Sequence, residues 1–152
     1  MDIKNILVPV NGSAVDDEAV RLACNIAKRS KGKVFITYVI EVKRTLPLDA
    51  HIEPELQKGE AVLARAERVV DEADYEAETE LLQAREVGPA VVDEAVERGV
   101  DLIIIGLENR RRFGEFYMGK TAPYVLKHAP CQVWVCREAS VRLRDSDRYG
   151  SK

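Results

Sequence analysis

The sequence predicts an open parallel α/β sheet covered by helices on both faces. Strand-like and helix-like runs alternate along the chain as far as residue 138, and the strand-like runs are apolar throughout instead of alternating. A strand that is apolar on both sides has to be buried on both sides, which βαβ crossovers achieve by construction. Length is the third observation, because 152 residues suffice for one core and not for two.

Residues 3–10 form the first strand-like run, which ends at Pro9 and leads into Asn11, Gly12 and Ser13. Ser13 is the expected N-cap of a helix whose first turn carries Asp16, Asp17 and Glu18. Val15, Ala19, Leu22 and Ile26 recur at helical spacing, and Lys28, Arg29, Lys31 and Gly32 mark the stop. A second strand covers 33–40. The loop 41–53 is too long for a plain connector and is expected to lie over another part of the fold.

A second amphipathic helix spans 55–73, with Leu56, Val62, Leu63, Ala66 and Val69 or Val70 on its apolar side. Residues 75–84 alternate loosely and read as a less buried strand. Gly88 and Pro89 open a third helix that reaches Arg98, with the proline in a first turn that needs no N–H there. A strand at 101–105, a loop at 106–118, a helix at 119–128 and a last strand at 131–136 complete the domain, assigned to 1–138. The remainder, 139–152, is polar and is expected to be a mobile tail.

Composition removes several functions. A net charge of −3 leaves no broad positive field for nucleic acid. The longest apolar runs fall far short of the roughly 20 residues of a membrane span, so no membrane insertion is expected. The first five residues lack a secretory pattern, and cytoplasmic localisation follows as the expectation. Cys24, Cys131 and Cys136 have no metal-ligand spacing and read as reduced packing residues, with the last two on opposite faces of one strand. His51 has no Cys, His or paired acid at ligand spacing and His128 suits a helix C-terminal cap, so neither a metal nor a catalytic residue is expected.

Residues 114–121 match the phosphate-loop pattern G-x-x-x-x-G-K-S/T literally. The context argues against it. A working loop follows directly on a strand, whereas the run 101–105 stops eight residues earlier. The spacer positions carry Glu115, Phe116, Tyr117 and Met118, which obstruct a tight backbone wrap around an anion. The last strand ends in Arg137 and supplies no carboxylate for a magnesium shell.

From about residue 2 to 138 the chain resembles the universal stress protein family. The resemblance rests on the segment from Ile6 through Pro9 to Ser13, the pair Gly88 and Pro89, the run from Asp101 to Gly106, and the close from Val125 through His128 and Pro130 to Val133. It implies a five-stranded parallel sheet in the order 3-2-1-4-5 and a homodimer formed through the last strand, 131–136. One branch of the family binds ATP through G-x-x-G-x9-G-S/T, which laid on this chain runs from Gly106 to Gly119 at the correct spacing.

The resemblance implies a nucleotide site of Pro9, Asn11, Val39, Gly106, Asn109, Gly119, Lys120 and Thr121, with ATP or AMP as the cofactor. Pro9 and Val39 would line the base pocket, while Gly119, Lys120 and Thr121 would face the phosphates. Three departures alter its chemistry. Asn109 replaces the second glycine, where it tolerates positive φ but fills space. Asn11 stands where ATP-binding relatives usually have a carboxylate, and Lys120 puts a cation where they have a hydroxyl. An adenine nucleotide or other anion without magnesium is the expected ligand. The expected function is a stress-response binding module, homodimeric and without turnover. The alternative is a regulatory or scaffold domain acting on a protein partner such as a transporter, through the loop 41–53 and the Arg110, Arg111, Arg112 cluster.

Overall fold

Strand β1 (Asn5–Pro9) is buried on both faces, since Ile6, Leu7 and Val8 are all without solvent exposure, and the rest of the molecule is built outward from it. The computed structural model describes residues 3–139. Helix α1 (Val15–Ser30) follows, then β2 (Lys33–Glu41), α2 (Glu53–Glu72), β3 (Glu78–Ala84), α3 (Val87–Glu97) and β4 (Leu102–Leu107). A short hairpin, β5 (Arg111–Arg112) and β6 (Glu115–Phe116), precedes α4 (Thr121–His128) and β7 (Gln132–Arg137).

The main sheet has the order β3-β2-β1-β4-β7, and every pair in it is parallel. With the hairpin set aside, β7 is the fifth strand of the expected order. Ile6 pairs with Val34 on one side and Leu102 on the other. Alternation along β1 and β4 divides the core. Ile6, Val8, Leu102 and Ile104 pack with Val20 and Ala23 of α1 and Leu63 and Ala66 of α2. Leu7, Ile103 and Ile105 pack on the other face with Val91 of α3 and Val125 of α4. Burying one such Leu or Ile contributes about 1.5–3 kcal/mol, so the sheet centre supplies much of the driving force.

Several boundaries differ from the sequence expectation. Ser13 does not cap α1: the N-cap is Ala14, with no side-chain cap bond, and the Ser13 hydroxyl lies 3.4 Å from Asp16 Oδ1. Asp16 is the reason, because its carboxylate folds back on the loop and accepts the N–H groups of Asn11 at 3.0 Å and Gly12 at 2.8 Å. The left-handed residue that ends α1 is Lys31, at φ 56°, one ahead of Gly32. β3 begins at Glu78, not 75, since the Tyr75 N–H is still bonded back to the Val70 carbonyl of α2 at 3.1 Å, with the Tyr75 hydroxyl turned to the Gly32 carbonyl. Helix α4 begins at Thr121, not 119, and the segment 106–118, expected as a plain loop, contains the β5–β6 hairpin. The expected tail lies outside the described residues from 140 onward.

The long loop after β2 does lie over its neighbour. Arg85, just past β3, donates to the Lys43 carbonyl at 2.6 Å and the Leu46 carbonyl at 2.9 Å, and Gln83 donates to those of Leu48 and Ala50, both at 2.9 Å. Cys131 packs with the α3–α4 side and Cys136 with the α1–α2 side, and all three cysteines are free.

Candidate functional site

The chain turns from β1 to β2 and β3 in one direction and returns to β4 and β7 in the other, so the winding reverses between β1 and β4. Loops leaving neighbouring strands diverge at such a point and open a crevice at the carboxyl ends. A cavity of about 310 Å³ lies there. Its walls come from the end of β1 (Pro9, Val10, Asn11), β2 (Thr37, Tyr38, Val39), and β4 with its loop (Ile105 to Glu108). It is closed by Tyr117 and Met118 after the hairpin, by Gly119 to Ala122 at the start of α4, and by Lys58 of α2.

Seven of the eight expected site residues line this cavity: Pro9, Asn11, Val39, Gly106, Gly119, Lys120 and Thr121. Asn109 does not. Its backbone N–H is held by Glu138 Oε1 at 3.1 Å, beyond the carboxyl end of β7, and its side-chain Oδ1 is buried without a partner. It therefore does not occupy space beside the cavity as the motif had implied. Gly119 adopts φ +76°, a conformation that favours glycine, and this bend carries the chain from the hairpin into α4.

Lys58, Glu108 and Tyr117 line the cavity without being expected site residues, and Arg110, expected in a partner-binding cluster, lines it as well. Only the carboxyl-end rule could have flagged Glu108, and nothing local distinguishes Lys58 from the other exposed cations of α2. Arg110 bonds Glu108 at 2.9 Å, so the carboxylate on the rim is engaged by a cation. Arg112 stacks over the Tyr117 ring at 4.2 Å and fixes that wall of the cavity to the hairpin.

Electrostatics in the β1–α1 loop centre on Asp16. Burial pushes its carboxyl above the usual carboxylate range, while hydrogen bonds from Gly12, Asn11 and Ser13 pull the other way. Asn11 is not charged, and its Oδ1 accepts the N–H of Ser13 at 3.1 Å. The phosphate-loop match is also resolved by geometry. Gly114 is in the hairpin turn and Glu115 and Phe116 form β6, so the segment is extended and does not wrap an anion. Its second half, Tyr117 to Thr121, reaches the cavity, whereas Gly114, Glu115 and Phe116 do not line it.

Fold and crevice together define a parallel α/β domain with a cavity at the reversal of its sheet. Residues 2–137 match the model of the universal stress protein family, and the chain belongs to that family. It is similar to a universal stress protein of Methanocaldococcus jannaschii, 29% identical over 141 residues, covering 89% of this chain and 82% of that one. Among solved structures, the universal stress protein from Archaeoglobus fulgidus aligns with a TM-score of 0.74 at 23% identity, covering 87% of this chain and 97% of that one. A structure of the Archaeoglobus fulgidus protein in complex with dAMP aligns at 0.70 and 22% identity, over 89% of this chain and 98% of that one. A universal stress protein in complex with cAMP aligns at 0.68 and 19% identity, over 90% and 98%.

Proposed function

We infer that this chain is a nucleotide-binding module of the stress response, taking an adenine nucleotide such as AMP or ATP in the cavity between β1 and β4. The observation that carries this reading is the convergence of Pro9, Asn11, Val39, Gly106, Gly119, Lys120 and Thr121 on one cavity. Solved structures of the same fold hold dAMP and cAMP. Val39 and Ile105 offer apolar walls for a base, and the first turn of α4 with Lys120 offers N–H groups and a cation to phosphate.

Magnesium does not fit the residues present. Asn11 lacks a charge, and the nearby Asp16 spends Oδ2 on two backbone N–H groups. Glu108 is paired with Arg110 and is poorly disposed to activate water, which favours binding without turnover. The module acts in the cytoplasm as a homodimer through the exposed edge strand β7. Titration calorimetry with ATP, ADP and AMP, each with and without magnesium, tests the reading. Micromolar binding unaffected by magnesium is expected, and absence of binding by all three overturns it.

One observation favours a second reading. Phe113 is 97% exposed at the hairpin tip, beside the exposed Arg111 and Arg112. Aromatic and arginine side chains dominate protein contact sites, which suits a regulatory domain acting on an acidic partner protein. If no nucleotide binds, this reading takes precedence.

A further inference from the structure

The inner wall of the cavity carries one polar group that the protein itself leaves unused. Thr37 is 1% exposed, and its Oγ1 has no hydrogen-bond partner. Its backbone carbonyl, in comparison, is engaged, accepting the Val10 N–H at 2.9 Å. Alternation along β2 sets Thr37 on the face of Phe35 and Val39, the face that packs toward α3 and α4, and Thr37 lines the cavity. Of the other buried lining residues, Val10, Ile105, Gly106 and Ala122 bring no polar side-chain atom, and Tyr38 packs into the opposite core.

A buried hydroxyl without a partner destabilises a fold, and valine would fill the same volume at no such cost. We propose that Thr37 is a specificity-determining residue whose hydroxyl bonds a heteroatom on the edge of a nucleobase, so that the cavity selects a base-bearing ligand over a bare phosphate or polyphosphate. The inference rests on the nucleotide reading above and sharpens it. The cations Lys58, Arg110 and Lys120 attract any anion to the rim and cannot by themselves distinguish one phosphate compound from another. Discrimination needs a directional group at the apolar end, because a site built to hydrogen-bond its ligand rejects an analogue that leaves the site's polar atom unpaired. A hydroxyl both donates and accepts, so it can meet either a ring nitrogen or an exocyclic amine.

Calorimetry on the wild type, Thr37→Val and Thr37→Ser, with AMP, adenosine and inorganic tripolyphosphate as probes, tests this. Thr37→Val is expected to weaken AMP and adenosine by roughly threefold to tenfold, with tripolyphosphate unchanged and Thr37→Ser close to wild type. The ligand-free Thr37→Val protein is expected to melt no lower than the wild type, which a merely structural hydroxyl would not allow. Unchanged AMP affinity in Thr37→Val, or an equal loss for tripolyphosphate, overturns the assignment. If the wild type binds neither AMP nor adenosine, the nucleotide reading fails with it, and that failure is visible before any variant is made.

Discussion

The carboxylate of Asp16 accepts the backbone N–H of Gly12 at 2.8 Å, so the first turn of α1 holds the loop that forms one wall of the cavity. Helix and loop are thereby coupled through one side chain. The same oxygen takes the Asn11 N–H, which leaves two backbone donors dependent on a single buried acceptor.

Removing that acceptor in Asp16→Ala should cost about 2 kcal/mol and lower the melting temperature by about 4–8 °C. The pH dependence has a definite sign. Burial raises the Asp16 carboxyl above its ordinary value, so the native state keeps this proton to higher pH than the unfolded chain does. Its contribution to stability is fully present below the unfolded carboxylate range and is lost as pH rises through the raised native value. Asp16→Asn removes this titration, so melting curves from about pH 3 to 7 should move in favour of the variant relative to the wild type. A constant difference across that range would contradict the assignment.

Lys120→Ala should weaken AMP and ATP roughly tenfold to a hundredfold, the loss of one charge-assisted contact to phosphate. Since Asn11 brings no charge and Asp16 is committed to the backbone, adding magnesium should not strengthen ATP binding by the wild type. Wild-type affinity in Lys120→Ala would detach the start of α4 from the ligand.

Gly59 sits where α2 crosses the sheet, and a Cβ there would come 2.3 Å from Leu81 Cδ1 and 2.9 Å from Tyr38 Cδ1. Leu81 is half-buried and can turn aside, but the ring of Tyr38 is buried in the core. Gly59→Ala should therefore destabilise by about 1–3 kcal/mol although alanine favours helices, and a thermal melt followed by circular dichroism reads the difference.

β7 ends the sheet with Trp134 and Val135 at 39% and 36% exposure, apolar side chains that a partner subunit would cover. Light scattering at tens of micromolar protein should report a dimer, and Val135→Asp should shift it toward monomer. A monomeric wild type at that concentration would exclude this edge as the interface.

The sheet was legible because its signals are local and redundant. The runs through Ile6 and Ile104 are apolar on both faces, and helical spacing in α1 agrees with its charged ends. Boundaries were less legible where a side chain bonds outside its own element. Asp16 displaces Ser13 from the cap, and Tyr75 is drawn away from β3 toward Gly32. In the cavity, the residues gathered from one motif and the β1 end were placed together, but Asn109 was not, since its turn leans on Glu138 of a segment far along the chain. Lys58 and Thr37 reach the cavity only through the packing of α2 and the alternation of β2, which no spacing within a motif encodes.

The cavity takes walls from both flanks of the segment after β4, Gly106 to Glu108 with Arg110 on one side and Tyr117 to Gly119 on the other, and from none of residues 111–116 between them. The intervening hairpin ends in Phe113 and Gly114, both at positive φ and turned away from the domain, with Phe113 almost wholly in solvent. Its tip is therefore free to change in length and sequence without disturbing the cavity walls. The two ends are tied to the cavity walls, and the tip is open to a separate selection, so one short stretch of chain can change its outer surface while it keeps the cavity.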